Sequence, residues 1–418
     1  MLRSLAAIAR VLARVWPALL AWYLAGQVVR AAIIAVASPI GPESPLAALL
    51  LVPIAALAVL VSYVGMFLSV RRAMPVYREI AEGDVEFRSL RDAASEFSTV
   101  LLASIIPFFT LYALIGLLAK DLSDYARSAF RYSIGSENGV LDVGDGPLVV
   151  VVIVVAFAGR TLLKVFGSRL PKWLAIVEIY LEATWIFVAI TGLTGAFGQI
   201  IGWIEDRRVV HWAMDAREFV MGLGEPVRRA LESIDGLMPA IAQVVLLPLA
   251  WLLIAGIVYT RTLANIDHGR LVSERISGAA LARFERLPPI LRKQAYLVTD
   301  EWDDIGGPFT ESGRLIGRAG VVNLAVFMAA YGILFAVGQW ATWAIYRLIG
   351  PHDAWFWSAL DPVLSIAASI VVEPVRVVLL AIAFDVCLRR WQARAAQRSA
   401  NSQTPDVPET EISTAASS

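Results

Sequence analysis

The chain has 418 residues, of which 58% are hydrophobic and 17% are charged, and its formal net charge is zero. Soluble domains are about 45–50% apolar and about 25% charged, so this balance predicts several segments that cross a lipid bilayer. A neutral chain lacks the basic surface of nucleic-acid-binding proteins, so the expected partner is the lipid bilayer and not a nucleic acid. The single cysteine, Cys387, excludes disulfides and thiolate metal clusters within one chain.

Apolar segments recur along the chain, and each reaches about 20 residues, the length that a helix needs to span a hydrocarbon core of about 30 Å. They predict an all-α, polytopic integral membrane helix bundle of about eight transmembrane helices over residues 1–391. The first segment follows three arginines and resembles a signal peptide, but its length and Arg30 within it favour a retained signal anchor. The predicted helices lie near residues 15–37, 45–70, 98–118, 147–167, 172–203, 238–262, 319–348 and 362–388.

The distribution of arginine predicts the orientation of this bundle. Loops 38–44 and 349–361 contain no lysine or arginine, whereas loops 71–97 and 263–318 are rich in arginine. Under the positive-inside rule, both termini are then cytoplasmic, and residues 119–146, which carry three basic residues, fit the outer side less well. Nearly all basic residues are arginine, which is typical of GC-rich bacterial genomes. The expected location is therefore the plasma membrane of a bacterium.

Two long loops and the tail lie between or beyond the predicted spans. Residues 204–237 carry apolar side chains at helical spacing, which predicts amphipathic helices on the outer membrane surface, with an outer subdomain or dimer contact as the alternative. Glycines near the end of residues 172–203 leave open a break or a re-entrant bend there. Residues 263–318 predict a helical inner loop under the bundle, and residues 392–418 predict a disordered cytoplasmic tail.

Charged residues inside the predicted spans form the candidate site. Glu373 lies roughly 15–18 Å from Pro362 along its helix, near the middle of a hydrocarbon core of ~30 Å. A carboxylate and a guanidinium at that depth are costly unless they are paired or hydrated. Glu373 and Arg376 can pair within their own helix, while Pro374 frees a backbone carbonyl and bends the helix. Together with Glu182, which is also near mid-membrane, they are the predicted substrate or ion pathway.

The fourth and fifth predicted helices are antiparallel neighbours, because a short turn joins them. Arg160 and Lys164 on the fourth helix are placed to pair with Glu178 and Glu182 on the fifth. These residues are the predicted intramembrane ion pairs, and a static ion pair is the competing interpretation of Glu182.

Several other polar residues in the spans have simpler roles. Gln27 and Gln339 are candidates to line the polar centre. Arg30 is near the outer interface and is expected to extend to the headgroups. Asp385 is expected to pair with Arg389, one turn further along the same helix.

No catalytic or nucleotide-binding motif accompanies these charges. The sequence lacks GxxxxGK[ST], HExxH, CxxC and GxSxG motifs, so neither a metal nor another cofactor is expected. The sequence favours a non-catalytic transport or permeation protein, or a transporter subunit. The alternative is a membrane scaffold whose long loops bind a partner membrane protein or a second copy of the chain. An enzyme acting on lipid ranks third.

Overall fold

The structure is a computed structural model. In the described part of the chain, turns connect the helices and there is no strand. The all-α prediction is confirmed for this part of the chain. The described residues are 2–71, 73–80, 90–114, 116–133, 147–166, 174, 176–189, 224, 228–229, 242–266, 312–317 and 319–402.

The helices are numbered here in chain order. A π-helical turn, Ala242–Leu246, leads into the helix Leu247–Ile266, and a short helical stretch at 312–317 precedes the helix Val321–Ile349. The helices are α1 (Leu2–Ile40), α2 (Pro45–Arg71), α3 (Pro75–Ile80), α4 (Leu90–Leu114), α5 (Leu117–Phe130), α6 (Pro147–Phe166), α7 (176–189), α8 (Leu247–Ile266), α9 (Val321–Ile349) and α10 (Ala354–Ser402).

Four of these helices, α1, α2, α9 and α10, contain stretches long and apolar enough to cross a membrane. The pair α4 and α5 adds a fifth span if its two bent segments are counted as one. Helices α6 and α8 are apolar over shorter lengths. The described helices therefore confirm an all-helical chain with several membrane-length apolar segments, and the number eight remains a prediction.

The predicted helix at 98–118 is interrupted by a sharp bend. Helices α4 and α5 meet at an angle of 75°, and Gly116 between them has a φ of +78°. Glycine adopts this left-handed conformation without the steric cost that a side chain would add. Helix α5 is amphipathic and packs back against α1, α2 and α4, with Asp121, Tyr125 and Ala129 buried. Residues 117–130 are therefore a packed helix, where the sequence predicted an outer loop.

The last helix also differs from the prediction, because it continues to Ser402. The sequence predicted a disordered tail from residue 392, but alanine, arginine and glutamine between 391 and 402 are good helix formers. Residues 403–418 lie outside the described residues. The same is true of most of the loops 204–237 and 263–318, and of the glycine-rich end of 172–203.

Helix α2 occupies the centre of the described bundle and contacts α1, α4, α5, α8 and α10. In its most apolar 18-residue stretch, 67% of the residues are buried, against 17% in α1 and 11% in α9. Glycines bring α1 and α2 close together, because Gly26 faces Ser62 and Gly65 faces the indole ring of Trp22. This close packing fixes the position of Tyr63, which lies between those two contacts on α2.

Candidate functional site

Tyr63, Glu373 and Arg376 form a charged, hydrogen-bonded cluster between α2 and α10. Arg376 makes an ion pair with Glu373, one turn away on the same helix. The Tyr63 hydroxyl donates to Glu373 Oε2 at 2.7 Å and accepts a hydrogen bond from Arg376 Nη2. Only 14% of the Glu373 side chain and 15% of the Arg376 side chain are exposed. The pair expected within α10 is present, and Tyr63 links it to a second helix.

Aromatic rings surround the guanidinium group of Arg376. Its Cζ lies 4.1 Å from the ring centroid of Trp251 on α8 and 5.5 Å from that of Tyr63. The centroids of these two rings are 4.6 Å apart. A cation over an aromatic face is attracted by the ring quadrupole, most strongly where water is excluded. These contacts offset part of the cost of placing a guanidinium at this depth.

Two further helices reach the same cluster. A hydrogen bond joins Tyr23 on α1 to Ser369, which lies one turn before Glu373. The Tyr331 hydroxyl on α9 lies beside the guanidinium of Arg376, and this tyrosine is 3% exposed. Side chains from α1, α2, α8, α9 and α10 therefore converge on one ion pair. We call this group the polar centre: Tyr23, Tyr63, Trp251, Tyr331, Ser369, Glu373 and Arg376.

The polar centre is far from both ends of the helices that form it. With a rise of 1.5 Å per residue, Tyr63, Tyr331 and Arg376 lie about 12–15 Å from the nearer ends of their apolar segments. These ends are Arg71, Val321 and Ile366. At this distance a bilayer core of about 30 Å would leave the charges out of reach of either headgroup layer.

Glu182 is engaged elsewhere. It forms an ion pair with Arg160, between α7 and α6, in which the side chains are 7% and 9% exposed. The rings of Phe157 and Trp185 lie 5.5 Å and 6.0 Å from the Arg160 guanidinium. Of the three residues predicted for the pathway, the structure brings together Glu373 and Arg376 and pairs Glu182 with a neighbouring helix.

The other predicted polar residues have varied surroundings. Glu178 is half-buried on α7, and the side chain of Lys164 lies outside the described residues. Gln27 is half-buried on α1, whereas Gln339 is exposed on α9.

A second charged cluster, which the sequence did not predict, joins α1 to α5. Arg30 Nη2 lies 2.5 Å from Asp121 Oδ1 and 2.8 Å from Asp124 Oδ2. The Tyr112 hydroxyl on α4 donates to Asp121 Oδ2 at 2.6 Å. Arg30 was expected to reach the headgroups, but the turn at Gly116 brings two carboxylates to it. The spacing of Asp121 and Asp124 on an amphipathic segment was the available signal. We call Arg30, Tyr112, Asp121 and Asp124 the Arg30 cluster.

Asp385 caps the short helix α3 from a distant part of the chain. Its Oδ1 accepts hydrogen bonds from the backbone N–H groups of Val76 at 3.0 Å and Tyr77 at 3.2 Å. These groups lie in the first turn of α3, where amides lack partners within the helix. Arg389 Nη2 is 3.6 Å from Asp385 Oδ2, so the expected pair is present but looser than the two amide contacts.

Replacing Asp385 with alanine is expected to lower the free energy of unfolding by about 1–2 kcal/mol, because two buried amides lose their acceptor. The matched control is Arg389→Ala, whose side chain is 65% exposed. Its effect is expected to stay within about 0.5 kcal/mol. Denaturant unfolding of the purified protein in mixed micelles measures both. Equal losses in the two variants would mean that the ion pair, and not the cap, stabilises this end of α10.

Comparison with protein-family models, with curated protein sequences and with solved structures gives no match. Within the described residues, no group of three acidic, histidine or cysteine side chains is placed to hold a metal ion. The fold and its buried charges define the class: an all-helical protein with membrane-length apolar helices and a charged cluster between them.

Proposed function

We propose that this chain is a transport or permeation protein, or a subunit of a transporter, and that the polar centre is its substrate or ion site. The observation that supports this most strongly is the convergence of five helices on the Glu373–Arg376 pair. Charged groups shared by several helices, far from either surface, are typical of the sites around which transporter helices move.

Pro374 supports the same interpretation. It lies between the two charged residues inside a helix that continues without a break. Proline has no N–H group, so it cannot donate to the carbonyl of Ile370 one turn earlier. The helix is therefore weakest beside its charged pair, where a change of helix direction would alter the contacts of Glu373 and Arg376.

The topology that we propose has eight spans, with both termini in the cytoplasm and the chain in a bacterial plasma membrane. The membrane-length helices, the bent pair α4 and α5, and the shorter helices α6, α7 and α8 together make eight. The supporting observation is the arginine content of loops 71–97 and 263–318, against its absence from 38–44 and 349–361.

Flux through reconstituted vesicles tests this function. The double variant Glu373→Gln/Arg376→Gln removes both charges together and so leaves neither unpaired. We expect vesicles with the unsubstituted protein to pass protons or chloride under an imposed potential. The flux through the double variant should be lower by about tenfold or more. Arg389→Ala, with an exposed side chain, is the control and should retain it. Unchanged flux in the double variant would overturn the proposed role of the polar centre.

A membrane scaffold is the second candidate, and one observation favours it. Only 11% of the most apolar stretch of helix α9 is buried. Trp340 and Trp343 on this helix are 68% and 56% exposed. Such a surface suits lipid, a partner membrane protein or a second copy of this chain. Absence of proton and chloride flux from folded, unsubstituted protein would favour this alternative.

A further inference from the structure

Two hydrogen-bond donors in the polar centre are buried and have no acceptor among the residues that the structure describes. They are the Nε–H of Arg376 and the hydroxyl of Tyr331. The tyrosine is 3% exposed, and its hydroxyl lies beside the Arg376 guanidinium. Buried polar groups in native proteins nearly always have a hydrogen-bond partner, and here two such donors lie side by side within one charged cluster, where one ligand could meet both.

A ligand that meets these two groups must be an acceptor. Nε–H of arginine can only donate, while a tyrosine hydroxyl can both donate and accept. The Arg376 guanidinium already lies close enough to the Tyr331 oxygen to donate to it, but that contact leaves the hydroxyl hydrogen of Tyr331 without an acceptor among the described residues. The neighbouring Nη2 already has its acceptors, namely Glu373 Oε2 and the Tyr63 oxygen. A metal cation does not fit, because both unmet groups present hydrogen and the guanidinium carries a positive charge.

We propose that the polar centre binds a small monovalent anion that accepts hydrogen bonds from Arg376 Nε and the Tyr331 hydroxyl. This inference rests on the proposed transport function and names the class of its substrate. An anion satisfies both donors and gains the stronger, charge-assisted bond to the guanidinium. Glu373 and Tyr63 occupy Nη2, and Trp251 covers one face of the guanidinium. The Nε–Nη2 edge therefore cannot grip a carboxylate with two hydrogen bonds, which favours a compact anion.

The anion competes with Glu373, since both are negative and both use the same guanidinium. Replacing Glu373 with glutamine removes the competitor and leaves Arg376 in need of a counter-charge. The anion should then bind more tightly to Glu373→Gln than to the unsubstituted protein. In that variant it should also restore stability, because a ligand that binds only the folded state raises the free energy of unfolding.

The test measures melting temperature in detergent, with chloride or formate titrated against gluconate at constant ionic strength. We expect saturable stabilisation of the unsubstituted protein, with half-saturation at a lower concentration in Glu373→Gln. Adding Tyr331→Phe should raise the half-saturating concentration about tenfold, since one hydrogen bond to a charged ligand is lost. Tyr346→Phe, a substitution on the same helix outside the polar centre, should leave it unchanged.

Two results would overturn the proposal. One is the absence of any chloride- or formate-specific stabilisation, and the other is an equal response of the Tyr331→Phe and Tyr346→Phe variants. If Glu373→Gln does not fold, the same comparison is made with the single tyrosine variants. Anion binding without flux in vesicles would overturn the transport function and leave the anion site standing. Flux without anion-specific stabilisation would overturn the anion site and leave the transport function standing.

Discussion

Replacing Glu373 with glutamine is expected to lower the free energy of unfolding by about 3–5 kcal/mol in a buffer whose only added salt is gluconate. The cause is not the loss of one hydrogen bond but the charge that remains. Arg376 would be left buried without its counter-ion between Trp251 and Tyr63, and an unpaired charge at that depth is costly. Denaturant unfolding in mixed micelles, followed by circular dichroism, measures the loss.

A second substitution separates this charge effect from simple damage. Arg376→Gln added to Glu373→Gln removes the unpaired charge, so the double variant is expected to recover most of the lost stability. Glu43→Gln neutralises an exposed glutamate in the turn before α2 and is the matched control, with an expected effect within about 0.5 kcal/mol. A double variant no more stable than Glu373→Gln would show that the two side chains are not energetically coupled.

Replacing Arg30 with glutamine is expected to cost a similar amount, about 3–5 kcal/mol. Asp121 is 2% exposed and would keep only its hydrogen bond from Tyr112. Asp124 would also lose its partner, but its side chain is 27% exposed and water can hydrate it. Because the Arg30 cluster holds α5 against α1, we expect faster backbone hydrogen exchange in α5 as well as the lower stability.

Matched variants on α5 define the source of this effect. Arg127 is exposed on the same helix, so Arg127→Gln should change stability by no more than about 0.5 kcal/mol. Asp121→Asn added to Arg30→Gln should recover more stability than Asp124→Asn added to it, since Asp121 is the more deeply buried carboxylate. Equal recovery by the two asparagine variants would contradict the geometry of the Arg30 cluster.

Helix α1 connects the two charged clusters. Tyr23 and Arg30 are seven residues apart and therefore lie on the same side of the helix, two turns from each other. One contacts Ser369 on α10, and the other holds Asp121 and Asp124 on α5. A movement of α1 relative to α10 would thus be transmitted to α5, which gives the proposed site a direct mechanical link to the bent pair α4 and α5.

The sequence predicted those features that depend on residues close together in the chain. The length of the apolar segments predicts that they are membrane-length helices. The three-residue spacing of Glu373 and Arg376 on one helix predicts their ion pair. The sequence also predicted that Arg160 pairs with an acid on the next helix, because few residues separate the two helices along the chain.

The features that the sequence did not predict depend on distant contacts or on one backbone angle. The Tyr63–Glu373 hydrogen bond joins residues 310 positions apart, and nothing in the apolar pattern of α2 marks that tyrosine. The choice of Arg160 as partner for Glu182, away from Glu373, depends on how α7 packs. The bend at Gly116 is a single left-handed residue, yet it decides where Asp121 points and so creates the Arg30 cluster.

Water access to the polar centre is the most direct test of the proposed transport site. In a Cys387→Ala background, Ser369→Cys places a thiol beside Tyr23 in the polar centre. Val371→Cys, on the same helix, replaces a side chain that is 67% exposed on the outer face of the bundle and serves as the lipid-facing control. A membrane-impermeant thiosulfonate is applied to each side of intact vesicles. We predict that the Ser369→Cys variant is labelled from at least one side and that the Val371→Cys variant is not. Labelling of neither variant before denaturation, with both labelled after it, would mean a sealed ion pair and would contradict a transport site.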